Sequence, residues 1–141
     1  MLEQLFPIHP KLVHFPIALM LTALALDVCS QIFKKEQLHK TAITIFVCAV
    51  LFTPIVVWSG LFEQDRLHMH HPVLNQHKLY AFWIMWVSLA SLPILWIINK
   101  TTPKYFRIIF TLLLLSLAIL VTVTAHLGGR MVYEYGAGVV Q

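Results

Sequence analysis

The amino-acid sequence predicts an all-α fold in which four helices cross a lipid bilayer, and three observations support it. Of the 141 residues, 59% are hydrophobic and 11% are charged, whereas a soluble domain carries about 25% charged residues. Four apolar segments have the roughly 20 residues that a helix needs to span a membrane. Short connections join these segments, so consecutive helices are expected to be antiparallel neighbours in an up-down-up-down bundle.

The predicted spans cover residues 12–33, 41–62, 78–98 and 105–126, and residues 1–141 therefore form one transmembrane domain. No basic region precedes the first apolar segment and no small-residue cleavage site follows it, so we expect a retained span and not a signal peptide. The net charge of +4 is small and dispersed along the chain, which argues against nucleic-acid binding. The expected partner is the lipid bilayer.

Positive charge predicts the orientation of the bundle. The side that carries the two tight loops has six cationic residues, and the side that carries the termini has four. Because cytoplasmic loops are enriched in Lys and Arg, both termini are expected on the periplasmic side of a bacterial inner membrane. The loop-side cations are Lys34, Lys35, Lys40, Lys100, Lys104 and Arg107; the terminal-side cations are Lys11, Arg66, Lys78 and Arg130.

Seven of the eight histidines map to the side of the termini under this topology: His9, His14, His68, His70, His71, His77 and His126. Only His39 falls on the other side, where we expect a solvated residue in a lysine-rich loop.

Three helices carry stripes of mostly small residues that end in a histidine, given about 100° of rotation per residue. Small residues let membrane helices pack closely, so each stripe is predicted to face the bundle interior and Cys29 and Cys48 to act as packing residues. The stripes are His14, Ala18, Thr22, Ala25 and Cys29; His77, Ala81, Ile84, Ser88 and Ser91; and Thr111, Leu115, Ala118, Thr122 and His126.

A weak internal repeat accompanies this pattern. "HPKLVH" precedes the first span and "HPVLNQH" precedes the third. Proline suits the first position of a helix, where its missing N–H leaves no bond unmade. The repeat predicts two similar hairpins related by an axis along the membrane normal.

A cluster of neutral imidazoles indicates a metal centre, since imidazole ligates haem iron, copper, zinc and iron. Haem b needs one or two axial imidazoles in an apolar slot, and one or two bis-histidine haems are the leading prediction. Candidate ligands are His9, His14, His71, His77 and His126. Gly128 and Gly129 would let the backbone approach a large ligand. Lys11, Arg66, Lys78 and Arg130 would pair with the haem propionates.

Two other functions stay open: binding or transport of a copper, zinc or iron ion by the same histidines together with the loop segment "HMHHP", and a cofactor-free scaffold subunit. The sequence has no hydrolase triad or phosphate-binding glycine loop, so an electron carrier or redox subunit is expected before a stand-alone enzyme. Its partner would be quinone or a periplasmic redox protein. Asp27 is expected either to relay a proton or an ion, or to form an ion pair with Arg107.

"HPKLVHFPIAL", the "HP" before the third span and "AHLGGRMVYEYGAGV" resemble a bacterial family of four-helix membrane proteins, domain of unknown function 2231. Some relatives are fused to Rieske-type iron–sulfur domains, so the resemblance implies electron transfer with a separate redox partner. It also implies that Asp27 is the family's acid in the first span. The family pattern falls on His9, Pro10, His14, Pro16, His71, His77, His126, Gly128, Gly129, Val132 and Tyr133.

Overall fold

A computed structural model describes residues 8–67, 71–101 and 103–136, without the side chains of residues 66, 67, 103 and 104. Nearly all of this part is helical: α1 (Ile8–Leu12), α2 (His14–Ile32), α3 (Glu36–Leu67), α4 (Pro72–Thr101) and α5 (Pro103–Tyr133). Only Val13 separates α1 from α2. The break occurs where Pro16, which has no N–H, cannot donate to the carbonyl of Leu12.

Four apolar segments are long enough to cross a membrane, with mean hydropathies of 2.0 to 2.7. They are Ile8–Ile32, Glu36–Asp65, Pro72–Thr101 and Tyr105–Tyr133. The predicted four-helix fold is confirmed. The helices are longer than predicted, so His77 lies within α4 and the two glycines after His126 lie within α5.

The helices form a ring in which α2 packs on α3, α3 on α4, α4 on α5 and α5 on α2, while α1 lies against α3. The α1–α2 segment is therefore diagonally opposite α4. Large side chains fill the centre, among them Phe46, Phe110 and Met20, which are at most 1% exposed. We call the end of the bundle at which α1 begins and α5 ends the terminal end, and the opposite end the loop end.

A repeat of the two hairpins is present in the pattern of burial, but its register differs from the one that the His-Pro motifs predict. Buried positions in the first hairpin are matched by buried positions 68 residues later in the second. In this register His9 corresponds to His77, whereas the His-Pro motifs match His9 with His71. The matched buried pairs include Pro16 with Ile84, Met20 with Ser88, Ala23 with Ser91, Asp27 with Leu95, Phe46 with Leu114, Ala49 with Leu117, and Val56 with Thr124.

Only one of the three histidine stripes faces inward as predicted. On α4, Ile84, Ser88 and Ser91 are buried. On α2 the predicted stripe is wrong, because His14, Ala18, Thr22 and Ala25 are exposed while Pro16, Met20, Ala23, Asp27 and Ser30 are buried. On α5, Ala118 is buried but Leu115, Thr122 and His126 are exposed. The physical reason differs between the two helices. On α5 the bulky side chains of Phe110, Leu114 and Leu117 fill the centre, whereas on α2 the inward face carries Asp27 and Ser30, which bond His39 and Arg107.

Candidate functional site

Two histidines meet inside the terminal end of the bundle. The ring centres of His9 on α1 and His77 on α4 lie 6.3 Å apart, and the ring planes are perpendicular, at 89°. Both side chains are partly buried. Because these helices are diagonally opposite, the two imidazoles approach each other across the bundle.

Each of the two rings is fixed by a backbone carbonyl of the helix that pairs with its own. Nδ1 of His9 lies 3.1 Å from the carbonyl oxygen of Val56, and Nδ1 of His77 lies 2.9 Å from that of Thr124. The bonded residues are 47 positions apart in both cases. Ser59 adds a third group beside His9: its hydroxyl is 3.0 Å from Nδ1 and donates to the Val56 carbonyl.

A glycine provides the space for each ring, one helical turn after the bonded carbonyl. A Cβ at Gly60 would lie 2.8 Å from Cε1 of His9, and one at Gly128 would lie 3.4 Å from Cε1 of His77. Real Cβ atoms do not approach other atoms as closely as 2.8 Å. Gly60 is therefore required for the position of His9, and Gly128 allows a close contact with His77.

These bonds determine the chemistry of the pair. A carbonyl oxygen only accepts hydrogen bonds, so in the neutral imidazoles Nδ1 carries the proton and Nε2 has the lone pair. This is the arrangement by which proteins prepare a histidine as a metal ligand. In-line ligation through metal–nitrogen bonds of about 2.0 Å would place two imidazole centres about 6 Å apart. The observed separation of 6.3 Å is close to that distance.

The other predicted histidines lie elsewhere. His14 is exposed, and its Nδ1–H donates to the carbonyl of Pro10 at 2.7 Å. His126 is exposed on α5. His71 precedes α4, where its Nδ1 accepts the N–H of Val73 and its ring centre lies 4.1 Å from that of Tyr135. The expectation that His14, His77 and His126 converge in the interior is wrong, because two of the helices present other faces to the centre.

Among the cations predicted at the terminal end, Lys78 and Arg130 hydrogen-bond protein groups. Lys78 donates to Gln64 at 3.1 Å, and Arg130 bonds Glu134. These bonds from Arg130 hold the pKa of Glu134 below its usual range. Lys11 is exposed, as is Tyr133. The side chain of Arg66 and all of His68, Met69 and His70 lie outside the described residues.

The described residues add no further metal ligand to the imidazole pair, and Gly129 does not pack against it. Across residues 8–67, 71–101 and 103–136, no group of three or more His, Cys, Asp or Glu side chains is placed to hold a metal ion. A Cβ at Gly129 would meet no atom within 4 Å. The site that the described residues define therefore consists of His9 and His77, with Gly60 and Gly128 beside them.

A second polar cluster lies at the loop end, and sequence reasoning missed its central histidine. His39 is 5% exposed, and its Nδ1 is 2.6 Å from Oδ1 of the fully buried Asp27. The expectation of a solvated His39 is wrong, since α3 begins at Glu36 and carries His39 into the core. The expected Asp27–Arg107 ion pair is also wrong: Arg107 bonds Ser30 and Glu36. The sequence feature that could have revealed this pair is the spacing of 12 residues between Asp27 and His39, which lie on either side of one tight turn.

The fold and the paired imidazoles together define a class of protein: a multi-pass membrane bundle of four helices with a polar site at each end. The profile of one family, described as "Predicted membrane protein (DUF2231)", matches residues 5–141. The chain belongs to this family, as its motifs suggested. No curated protein and no solved structure gives a significant match. As a membrane protein with apolar helices, the chain is in contact with the lipid bilayer.

Proposed function

We propose that the protein is a b-type haem-binding electron carrier whose axial ligands are His9 and His77. The observation that carries the proposal is the pair itself: two imidazoles of the same tautomer, 6.3 Å apart on diagonally opposed helices. Of the five candidate histidines, His9 and His77 are the two whose rings lie close to each other and whose Nδ1 atoms bond backbone carbonyls of the helix that pairs with their own. Ligation through Nε2 needs both features.

The number of donors favours haem over a bare zinc ion. Haem iron takes two protein ligands, because the porphyrin nitrogens supply the other four. Structural zinc sites take four protein ligands, and the described residues supply two. Lys11 and Lys78 follow the two ligands closely in the sequence and would interact with the propionates. Bound haem would supply one-electron exchange.

The site would lie close to the outer surface of a bacterial inner membrane. This follows from the charge bias that predicts periplasmic termini, since His9 and His77 lie at the terminal end. Electrons would then pass to or from quinone in the bilayer or a periplasmic redox protein. The carbonyl bonds to Nδ1 would keep both rings in one orientation during each electron transfer.

Absorption spectra of the protein purified in mild detergent test this function. A dithionite-reduced minus oxidised spectrum should show b-type bands with matching iron content. His9→Ala and His77→Ala should each abolish the bands, whereas His14→Ala and His126→Ala, which change exposed histidines of the same bundle, should keep them. Retention of haem in both the His9 and His77 variants would overturn the assignment.

Copper(I) at the same pair is the second candidate, favoured by one observation. Cuprous ions accept two ligands in line, and imidazole is a suitable copper ligand, so the ring separation fits this ion as well. Elemental analysis distinguishes the two: about one copper per chain, lost in His77→Ala and without haem bands, would support copper handling.

A further inference from the structure

The loop end contains a buried acid that the proposed haem site does not use. Asp27 is fully buried, and its carboxylate has three partners. His39 lies 2.6 Å from Oδ1, while the hydroxyl of Thr111 and the amide of Gln31, at 3.2 Å, donate to Oδ2. The three partners come from α3, α5 and α2, so the carboxylate joins three helices.

Apolar groups surround this bonded set on the side of the bundle centre. The ring of His39 makes edge-to-face contacts with Phe106 and Phe110, at centre distances of 5.9 and 5.7 Å. An ionised carboxylate in such surroundings is strongly disfavoured unless it is paired with a positive charge. Hydrogen bonds from neutral donors compensate only part of the lost hydration.

Of the remaining charged groups at the loop end, Arg107 and Glu36 are paired with each other, and Lys34, Lys35 and Lys40 are exposed. Arg107 on α5 bonds Glu36 at the start of α3 at 3.3 Å, and its other bond goes to the hydroxyl of Ser30. On α4, Lys100 lies over the ring of Trp96. With Asp27 and Glu36 ionised, Arg107 positive and His39 neutral, the cluster carries one excess negative charge. One added proton makes it neutral.

We propose that Asp27 and His39 form a proton-binding site that takes up one proton from the loop side of the membrane. The proton binds Nε2 of His39, because Nδ1–H already donates to the carboxylate, and the product is an imidazolium paired with ionised Asp27. No other bond forms or breaks. The proposal is independent of haem, since it concerns the opposite end of the bundle.

A polar route connects the site with the membrane surface. Gln31 is exposed, one residue before α2 ends, and its amide also donates to the Thr111 hydroxyl at 2.9 Å. Thr111 in turn donates to Asp27. The end of a membrane-spanning helix lies at the level of the lipid headgroups, where water is present. Gln31 and Thr111 therefore join the carboxylate to the headgroup level. His39 lies three residues after α3 begins at Glu36, at the same end of the bundle, so a proton from the loop side reaches its ring without crossing the apolar core.

The test uses Asp27→Asn, an isosteric variant that keeps all eight histidines. Protein labelled with ¹⁵N-histidine is titrated in nanodiscs between about pH 8 and about pH 5, the range in which imidazoles change charge. In the wild type the His39 signals, assigned by their absence in His39→Gln, should change from the Nδ1–H form to the doubly protonated form. In Asp27→Asn they should keep the neutral form, and potentiometric titration should show one proton fewer taken up per chain.

Thr111→Val provides the matched control, because it removes one hydrogen bond from Asp27 and keeps every charge. This variant should still protonate His39, and its folding is checked together with that of Asp27→Asn by thermal unfolding. If His39 of the wild type stays neutral throughout the titration, the cluster is only a structural tie between helices and the proposal is overturned. Equal proton uptake by folded Asp27→Asn would overturn it too.

Discussion

Gly60 is the residue at which one added methyl group would disturb the imidazole pair most. Its missing Cβ leaves the space for the His9 ring, whereas a Cβ added at Gly129, in a similar position along α5, would have no neighbour within 4 Å. The two glycines therefore separate two effects of substitution: the gain of helix propensity, about 0.5–1 kcal/mol for Gly to Ala, and the cost of overpacking.

Gly60→Ala should displace the His9 ring and break its bond to the Val56 carbonyl. Overpacking of this kind costs about 1–3 kcal/mol, so the net change in the free energy of unfolding should be a loss of up to about 2 kcal/mol. Gly129→Ala should be neutral or slightly stabilising. Unfolding in detergent measures both. If the clash is the cause, the loss should disappear when His9→Ala is combined with Gly60→Ala; the same loss in that background would contradict the explanation.

The candidate ligands could be predicted from the sequence, but their pairing could not. His9 and His77 were both singled out because they lie at helix entries on one side of the membrane. Which imidazoles meet depends on the rotation of each helix about its own axis. His39 was missed because its position next to three lysines in the sequence is typical of a solvated loop, although α3 begins just before it.

At the scale of the helix, Thr53 compensates for the proline inside α3. Pro54 has no N–H, so the carbonyl of Val50 loses its usual partner four residues later. The hydroxyl of Thr53 donates to that carbonyl at 2.7 Å, and both residues are buried. A long membrane helix thus tolerates proline because a neighbouring hydroxyl satisfies the released carbonyl.

Thr53→Val should destabilise the bundle by about 1–3 kcal/mol, the usual cost of a buried polar group without a partner. Thr44→Val is the matched control: Thr44 lies on the same helix and its hydroxyl bonds the carbonyl of Lys40, but it is exposed and no proline follows. The control should change stability by less than about 0.5 kcal/mol. Denaturant titration compares the two, and equal losses would show that the released carbonyl is not the cause.

The end of α2 has an unusual backbone conformation. Lys34 adopts φ of 53°, and the N–H of Lys35 bonds the carbonyl of Ser30, a helix ending in which glycine is preferred at the left-handed position. Non-glycine residues adopt this conformation at a cost of about 1–2 kcal/mol. The chain carries this cost in the turn that leads from Asp27 to His39.

Lys34→Gly should therefore stabilise the protein by about 0.5–1 kcal/mol. Lys34→Ala removes the same charge but keeps a Cβ in the left-handed region, so it should give no gain. Thermal unfolding of both variants in the same detergent measures the difference. A stabilisation shared by the two would mean that charge and not backbone conformation is responsible.

At the scale of the whole molecule, the two hairpins share a pattern of burial but differ in polarity. Asp27 and His39 of the first hairpin correspond to Leu95 and Arg107 of the second. The terminal end is different, since His9 and His77 are both histidines with equivalent carbonyl bonds. The bundle is therefore symmetric at the proposed haem site and asymmetric at the proposed proton site.

The orientation of the whole bundle can be tested with single cysteines at exposed positions at its two ends. In a background with Cys29→Ala and Cys48→Ala, Asn75→Cys should react with an impermeant maleimide in intact spheroplasts. Lys35→Cys should react only after the membrane is disrupted, because the tight cationic loops are expected inside. The reverse labelling pattern would place the termini in the cytoplasm.

The sequence by itself determined the number of spans and their order. These features depend on the length and hydropathy of contiguous segments, which are local properties. Only the tertiary structure decided which face of each helix points inward, that His9 meets His77, and that Asp27 bonds His39. The physical reason is that a membrane helix is apolar all round, since lipid and bundle interior are both apolar. The rotation of each helix about its own axis is set by its packing against the neighbouring helices.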